Sequence, residues 1–154
     1  MTAVLFVCLG NICRSPLAEG IFRAQVEAAG LSAQFFMDSA GCGGWHSGEP
    51  PDPRSVALAA HHGIDLSAQK ARQIHRDDFE RFDLILGLDR DNVRHLKAML
   101  PKGSHAQVRL YLEAALGLHK DVPDPYYGSA SDFEAVFHLC EKASAGLLNQ
   151  RINA

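Results

Sequence analysis

Residues 4–8 read VLFVC, and residues 9–15 continue LGNICRS. Five apolar residues without polar alternation describe a strand buried on both faces, as in the middle of a parallel sheet. Gly10 and Asn11 are the residue types that tolerate the left-handed backbone of a curled loop. Ser15 then fits an N-cap, and Pro16 a first helical position. Leu17, Ile21, Ala24 and Ala28 share one helical face, and Gly30 stops the helix. A chain that opens strand, loop, helix in this way is steered toward a layered α/β architecture.

The remaining pattern agrees. Strands are expected at Gln34–Ser39, Phe82–Leu88 and, more weakly, Val108–Leu112. Helices are expected at Arg54–His62, with Gly63 as its stop, and at Asn92–Met99. A last helix is expected after a capping box of Ser131 and Glu134, with Phe133, Val136, Phe137, Cys140, Leu147 and Leu148 as its apolar stripe. Strands alternating with helices give an α/β fold around a small parallel sheet, whose ligands bind at the carboxyl ends of the strands. At 154 residues and 47% hydrophobic, the chain suits a single domain over residues 1–154.

Composition narrows the function. A net charge of −3 without a long basic run gives no support for nucleic-acid or membrane-surface binding. The apolar run Ala3–Leu9 is too short to span a bilayer and has no basic leader. Membrane insertion is therefore not expected. Cys8, Cys13, Cys42 and Cys140 form no CxxC pair, which suits free thiols in a reducing, cytoplasmic setting. The eight histidines show no ligand spacing with acids or thiols, so no metal site is expected.

The chemistry concentrates in residues 8–15. A loop entering a helix N-terminus presents unpaired N–H groups and the positive end of the helix dipole, which together bind phosphate. Leu9, Gly10, Asn11, Ile12, Cys13, Arg14 and Ser15 are the expected phosphate-binding residues. In that positive field the Cys8 thiol is biased toward thiolate, a good nucleophile. Arg14 offers a planar fork for two phosphoryl oxygens, and Ser15 a hydroxyl for the sulfur. The Cys-x5-Arg spacing by itself carries little. With four Cys and ten Arg in 154 residues, chance supplies about 0.26 such pairs. The buried strand before it, the Gly-Asn interior and the Ser-Pro exit carry the reading against the alternative of a buried core thiol. Far along the chain, DPYYG (124–128) holds Asp124 between prolines on a stiff loop. Asp124 is the candidate to protonate a leaving oxygen, and Tyr126 and Tyr127 suit the walls of an aromatic slot. The plainer alternative is a surface turn.

VCLGNICRSPLAE together with DPYYG resembles the low-molecular-weight protein tyrosine phosphatases, in the bacterial style. DSAG (38–41), WHSGEPPDPRS (45–55), HGIDLS (62–67), ARQI (71–74) and FDLILGLD (82–89) have family counterparts in the same order. The resemblance implies a three-layer, doubly wound four-stranded parallel sheet with helices on both faces, and a phosphate-binding loop after the first strand. It implies chemistry without metal or cofactor. Cys8 would form a phosphocysteine, Arg14 and the loop amides would hold phosphate, and Asp124 would act as general acid and base. Asn11, Ser15 and Ser39 match positions that shape the loop, and Asp89 matches a buried acid beside it. Trp45, Tyr126 and Tyr127 match the rim around the substrate ring. Gln69 departs from the pattern, standing where many members carry a loop-supporting histidine.

Arsenate reductases of this fold need further redox cysteines near the third strand, and FDLILGLDRDN has none. Protein-arginine phosphatases carry a small polar residue at the Ile12 position and lack the paired tyrosines. A catalytically lost binding module would not need Cys8, Arg14, Ser15 and Asp124 together. Cys13 is either a small packing residue or the partner of Cys8 in a reversible disulfide. Cys42 and Cys140 are read as structural. The implied partners are phosphotyrosine proteins, with a bacterial tyrosine autokinase and a host protein as open alternatives.

Overall fold

The computed structural model describes residues 1–152; the last two residues of the expected 1–154 domain lie outside the described residues. The opening apolar run becomes strand β1 (Thr2–Cys8), with every residue from Ala3 to Cys8 buried. It lies inside a parallel sheet, flanked by β2 (Phe35–Gly41) on one side and β3 (Leu84–Gly87) on the other. Strand β4 (Gln107–Leu110) pairs with β3, giving the order β2-β1-β3-β4. The chain leaves β1 toward one edge and returns toward the other. The carboxyl end of β1, at Cys8, is therefore the point where the winding reverses and a crevice opens.

Burial on both faces has a direct cause: alternate β1 side chains feed two cores. Val4, Phe6 and Cys8 face α1 (Arg14–Ala28), α5 (Tyr111–Leu116) and α6 (Ala130–Ile152), with Leu17, Phe22, Tyr111 and Phe137 among their neighbours. The Phe6 ring meets Phe22 and Tyr111 edge-on at 5.8 and 5.7 Å, a favoured aromatic geometry. Ala3, Leu5 and Val7 face Phe79 of α3 (Asp78–Arg81), Phe82 and Leu96 of α4 (Arg90–Met99). The remaining helix is α2 (Pro53–His61), capped by the Asp52 side chain with Pro53 at its first position. Among the described residues no helix is long and apolar enough to cross a membrane.

Several local expectations are corrected. Helix α1 begins at Arg14 with Cys13 at the cap and no side-chain cap bond; Ser15 is not the N-cap, because its hydroxyl serves the preceding loop. Pro16 is then the third helical residue, still within the turn whose N–H groups lack helical partners. The buried arc of α1 runs through Leu17, Ala18, Ile21, Phe22 and Val26, leaving Ala24 half-buried and Ala28 exposed. The Ser131–Glu134 capping box does not form: α6 starts at Ala130, and the Asp132 carboxylate accepts the Ser129 N–H at 2.8 Å. Strand β4 stops at Leu110 because Tyr111 turns into the core as the first residue of α5, its hydroxyl 2.9 Å from that of Ser144.

Candidate active site

The loop between β1 and α1 closes around the Cys8 sulfur. Asn11 donates its N–H to Cys8 Sγ at 3.3 Å, and the Ser15 hydroxyl lies 3.0 Å from the same atom. Of the two residues expected to relax the loop, Asn11 alone has a left-handed backbone, at φ 59°. Gly10 serves space instead: a Cβ there would sit 3.1 Å from the His46 ring. At Gly41 the restriction is tighter, with loop backbone 3.0 Å from where a Cβ would stand. The end of β2 thus lets the loop pack directly on it. Backbone bonds pin the loop from outside: Cys42 and Gly43 donate to the Cys8 and Leu9 carbonyls, and Asp52 to that of Ile12.

The buried Asn11 side chain fixes the loop's shape. Its Oδ1 accepts the Arg72 N–H at 3.0 Å, while its Nδ2 donates to Ser15 Oγ at 2.8 Å and Ser39 Oγ at 3.0 Å. Gln69 does not take part. It donates to the Pro16 carbonyl at 3.1 Å, and its Oε1 is buried without a partner. Arg72, which the sequence reading missed, supplies the backbone contact to Asn11 and is itself anchored by Asp38 and Asp78.

Arg14 is 3% exposed. One guanidinium nitrogen donates to Asp89 Oδ2 at 2.7 Å and to the Val122 carbonyl at 3.0 Å. Its other terminal nitrogen lies 3.6 Å from Asp124 Oδ2. Burial opposes the Arg14 charge, yet the Cys8 sulfur and the Asp89 and Asp124 carboxylates outweigh it and raise its pKa further. Asp89 is only partly buried, and it also caps α4: it accepts the Asn92 N–H at 2.8 Å, and Asn92 answers by accepting the Asp89 N–H at 3.1 Å. This reciprocal cap aims the second Asp89 oxygen at Arg14. The expected helix began at Asn92, whereas α4 begins at Arg90 with Asn92 as the partner of its cap; D-x-x-N ahead of a helix was the signal passed over.

Asp124 stands half-exposed opposite the loop, its Oδ1 accepting the Tyr126 N–H at 3.1 Å. A cavity of about 170 Å³ is lined by Cys8, Arg14 and Asp124, with Trp45, Tyr126 and Tyr127 at its mouth. Trp45 and Tyr127 are strongly exposed, and the two tyrosine rings stack at 4.9 Å. His46 also lines this cavity, with Nδ1 2.9 Å from Glu49. The floor therefore combines a thiol, a guanidinium and a carboxyl, and the mouth is aromatic. Cys13 also lines this cavity, and its Sγ lies 3.8 Å from Asp52 Oδ2. Burial first, then the Asp52 charge, push its thiol up to about 12. Cys42 is raised to about 11 and Cys140 to about 12, chiefly by burial.

A sequence profile described as low molecular weight phosphotyrosine protein phosphatase matches residues 3–154. The chain belongs to this family. A low molecular weight protein-tyrosine-phosphatase of Streptomyces coelicolor is 50% identical over 149 residues, covering 94% of this chain and 90% of the relative. The human low molecular weight phosphotyrosine protein phosphatase is 40% identical over 150 residues, covering 96% and 94%. Among solved structures, a protein tyrosine phosphatase of Entamoeba histolytica superposes with a TM-score of 0.93 at 30% identity, covering 99% of this chain and 98% of that one. A Drosophila protein described as an arginine phosphatase superposes at 0.90 and 30% identity, covering 98% of each chain. As a family member the chain is a phosphatase, and its doubly wound parallel sheet matches the family's solved structures.

Proposed function

We propose that this phosphatase hydrolyses phosphotyrosine in proteins through a phosphocysteine on Cys8. The observation that carries the reading is the convergence on one small cavity of Cys8, hydrogen-bonded by Asn11 and Ser15, with Arg14 and Asp124. The Cys8 thiolate attacks phosphorus, and the bond to the tyrosine oxygen breaks. Asp124 gives that oxygen its proton, so tyrosine departs neutral. Water then attacks the phosphocysteine, Asp124 takes its proton, and the sulfur leaves as a thiolate stabilised by Ser15 and the Asn11 N–H. Arg14 and the other loop N–H groups of residues 9–15 hold the phosphoryl oxygens throughout. Trp45, Tyr126 and Tyr127 grip the ring, while Ile12 and the paired tyrosines favour a flat aromatic ester over a phosphoguanidine.

A second reading, phosphoarginine as substrate, rests on the likeness to the Drosophila protein. Turnover of matched phosphotyrosine and phosphoarginine peptides separates the two: kcat/KM higher on phosphotyrosine supports the proposal, and the reverse order overturns it. The chain is further read as one domain acting in the cytoplasm, without nucleic acid as partner, on phosphotyrosine proteins that include a tyrosine autokinase. Four free thiols and the absence of a long basic run support that setting. A Cys8→Ser trap in cell lysate tests it, because an autokinase substrate must appear among the captured phosphoproteins.

A further inference from the structure

The hydrogen bonds around Cys8 do not end at Ser39. Ser39 is 4% exposed, and its hydroxyl donates to Glu19 Oε1 at 2.8 Å. Glu19 is equally buried on α1, and its other oxygen accepts from Arg23 at 2.7 Å, one turn further along the helix. The chain of contacts therefore runs Cys8, Ser15, Asn11, Ser39, Glu19, Arg23. Beyond it a second cavity, of about 560 Å³, is lined by Glu19, Arg23, Asp38, Ser39 and Gln69. None of these residues borders the cavity that holds Cys8.

The direction of each proton in this chain follows from chemistry. An ionised carboxylate only accepts, so the Ser39 hydrogen points to Glu19. Ser39 Oγ is then free to accept from Asn11. The Asn11 amide is oriented by Arg72, whose N–H needs the Oδ1, so both Nδ2 hydrogens point to the two serines. Ser15 Oγ already accepts, which leaves its own hydrogen for the Cys8 sulfur. We infer that Glu19 is a positioning residue of the active site: held by Arg23, it takes the Ser39 hydrogen and, together with the Arg72 N–H on Asn11 Oδ1, holds Asn11 Nδ2 on the two serines and so the hydrogen bond that ends on Cys8. It touches no substrate and acts through Ser39 and Asn11. Burying a carboxylate costs stability unless it is paired, and desolvation raises the Glu19 pKa despite Arg23 and Ser39. Gln69, with its Oε1 unpartnered, brings no cation to this carboxylate, so Arg23 is the cation that compensates it.

The test uses a sign. Glu19→Met removes the acceptor and one negative charge. Loss of the charge alone would shift the pH midpoint of Cys8 alkylation by iodoacetamide downward. Loss of the hydrogen-bond direction shifts it upward, by about half a unit, and lowers kcat/KM by up to about 3-fold at pH values below that midpoint. Glu19→Gln keeps one acceptor and restores most of both values. The double variant Glu19→Met/Arg23→Met removes the pair, buried at Glu19 and half-exposed at Arg23, without changing net charge. It gives the same upward shift. A midpoint that is unchanged or lower in the folded Glu19→Met variant, or unchanged in the double variant, overturns the inference.

Discussion

Asp89 has two jobs that one pair of substitutions separates. It caps α4 through Asn92, and it holds the buried Arg14 at 2.7 Å. Asn caps a helix about as well as Asp, so Asp89→Asn keeps the first job and weakens the second. A hydrogen bond to Arg14 that was charged on both sides becomes one to a neutral amide, a loss of about 1–2 kcal/mol. Asp89→Ala loses the cap as well, about 1 kcal/mol, and leaves a nearly inaccessible guanidinium without its carboxylate. Breaking a buried pair costs about 3–5 kcal/mol. The Val122 carbonyl and Asp124 remain near Arg14, and Asp89 is 19% exposed, so the total for Ala is placed at about 3–4 kcal/mol. Urea unfolding with linear extrapolation measures both, and p-nitrophenyl phosphate turnover reports whether Arg14 still meets its substrate. Expected are two well-separated stabilities, with kcat/KM falling in both variants. If Asn and Ala agree within about 0.5 kcal/mol, or if turnover is unchanged, Asp89 does not position Arg14 and the reasoning fails.

Asp124→Ala should slow aryl phosphate cleavage by about 10²–10⁴, the usual worth of a general acid; an unaltered kcat removes Asp124 from that role. Cys8→Ser should abolish release of p-nitrophenol while still binding inorganic phosphate, and residual turnover above background contradicts a sulfur nucleophile. Because Asn11 has φ 59°, Asn11→Ala should be less stable than Asn11→Gly by about 1 kcal/mol, read by urea melts; equal stabilities would mean the loop has relaxed. Asp52 caps α2 and is held below the usual carboxylate range first by the Arg54 side chain. Its stabilisation is full above the ordinary pKa of about 4 and is lost as pH falls through the lower folded value. The deficit of Asp52→Ala, about 1 kcal/mol at pH 7, should therefore shrink in acid; a gap that is constant down to pH 2 would falsify the linkage.

Much of the site was legible because its parts are adjacent in sequence. A buried strand, a loop with one left-handed Asn and a helix start place Cys8, Asn11, Arg14 and Ser15 together by local geometry alone; DPYYG offered Asp124, Tyr126 and Tyr127, and the resemblance supplied Ser39, Asp89 and Trp45. The same stretch also shows the limit. Ser15 read locally as a helix cap, but its hydroxyl belongs to Cys8 and Asn11. Tyr111 read as strand and became helix because a buried partner, Ser144, lies far along the chain. Which residue holds Arg14, which amide orients Asn11, and what accepts the Ser39 hydrogen depend on contacts across 20 to 75 positions. Periodicity and capping are rules of neighbouring residues, so the sequence by itself determined the strand, the loop and the place of Cys8 between them. Long-range hydrogen bonds obey only the packed geometry, so the tertiary structure decided how Cys8 is wired through Asn11 and Ser39 to the buried carboxylate of Glu19.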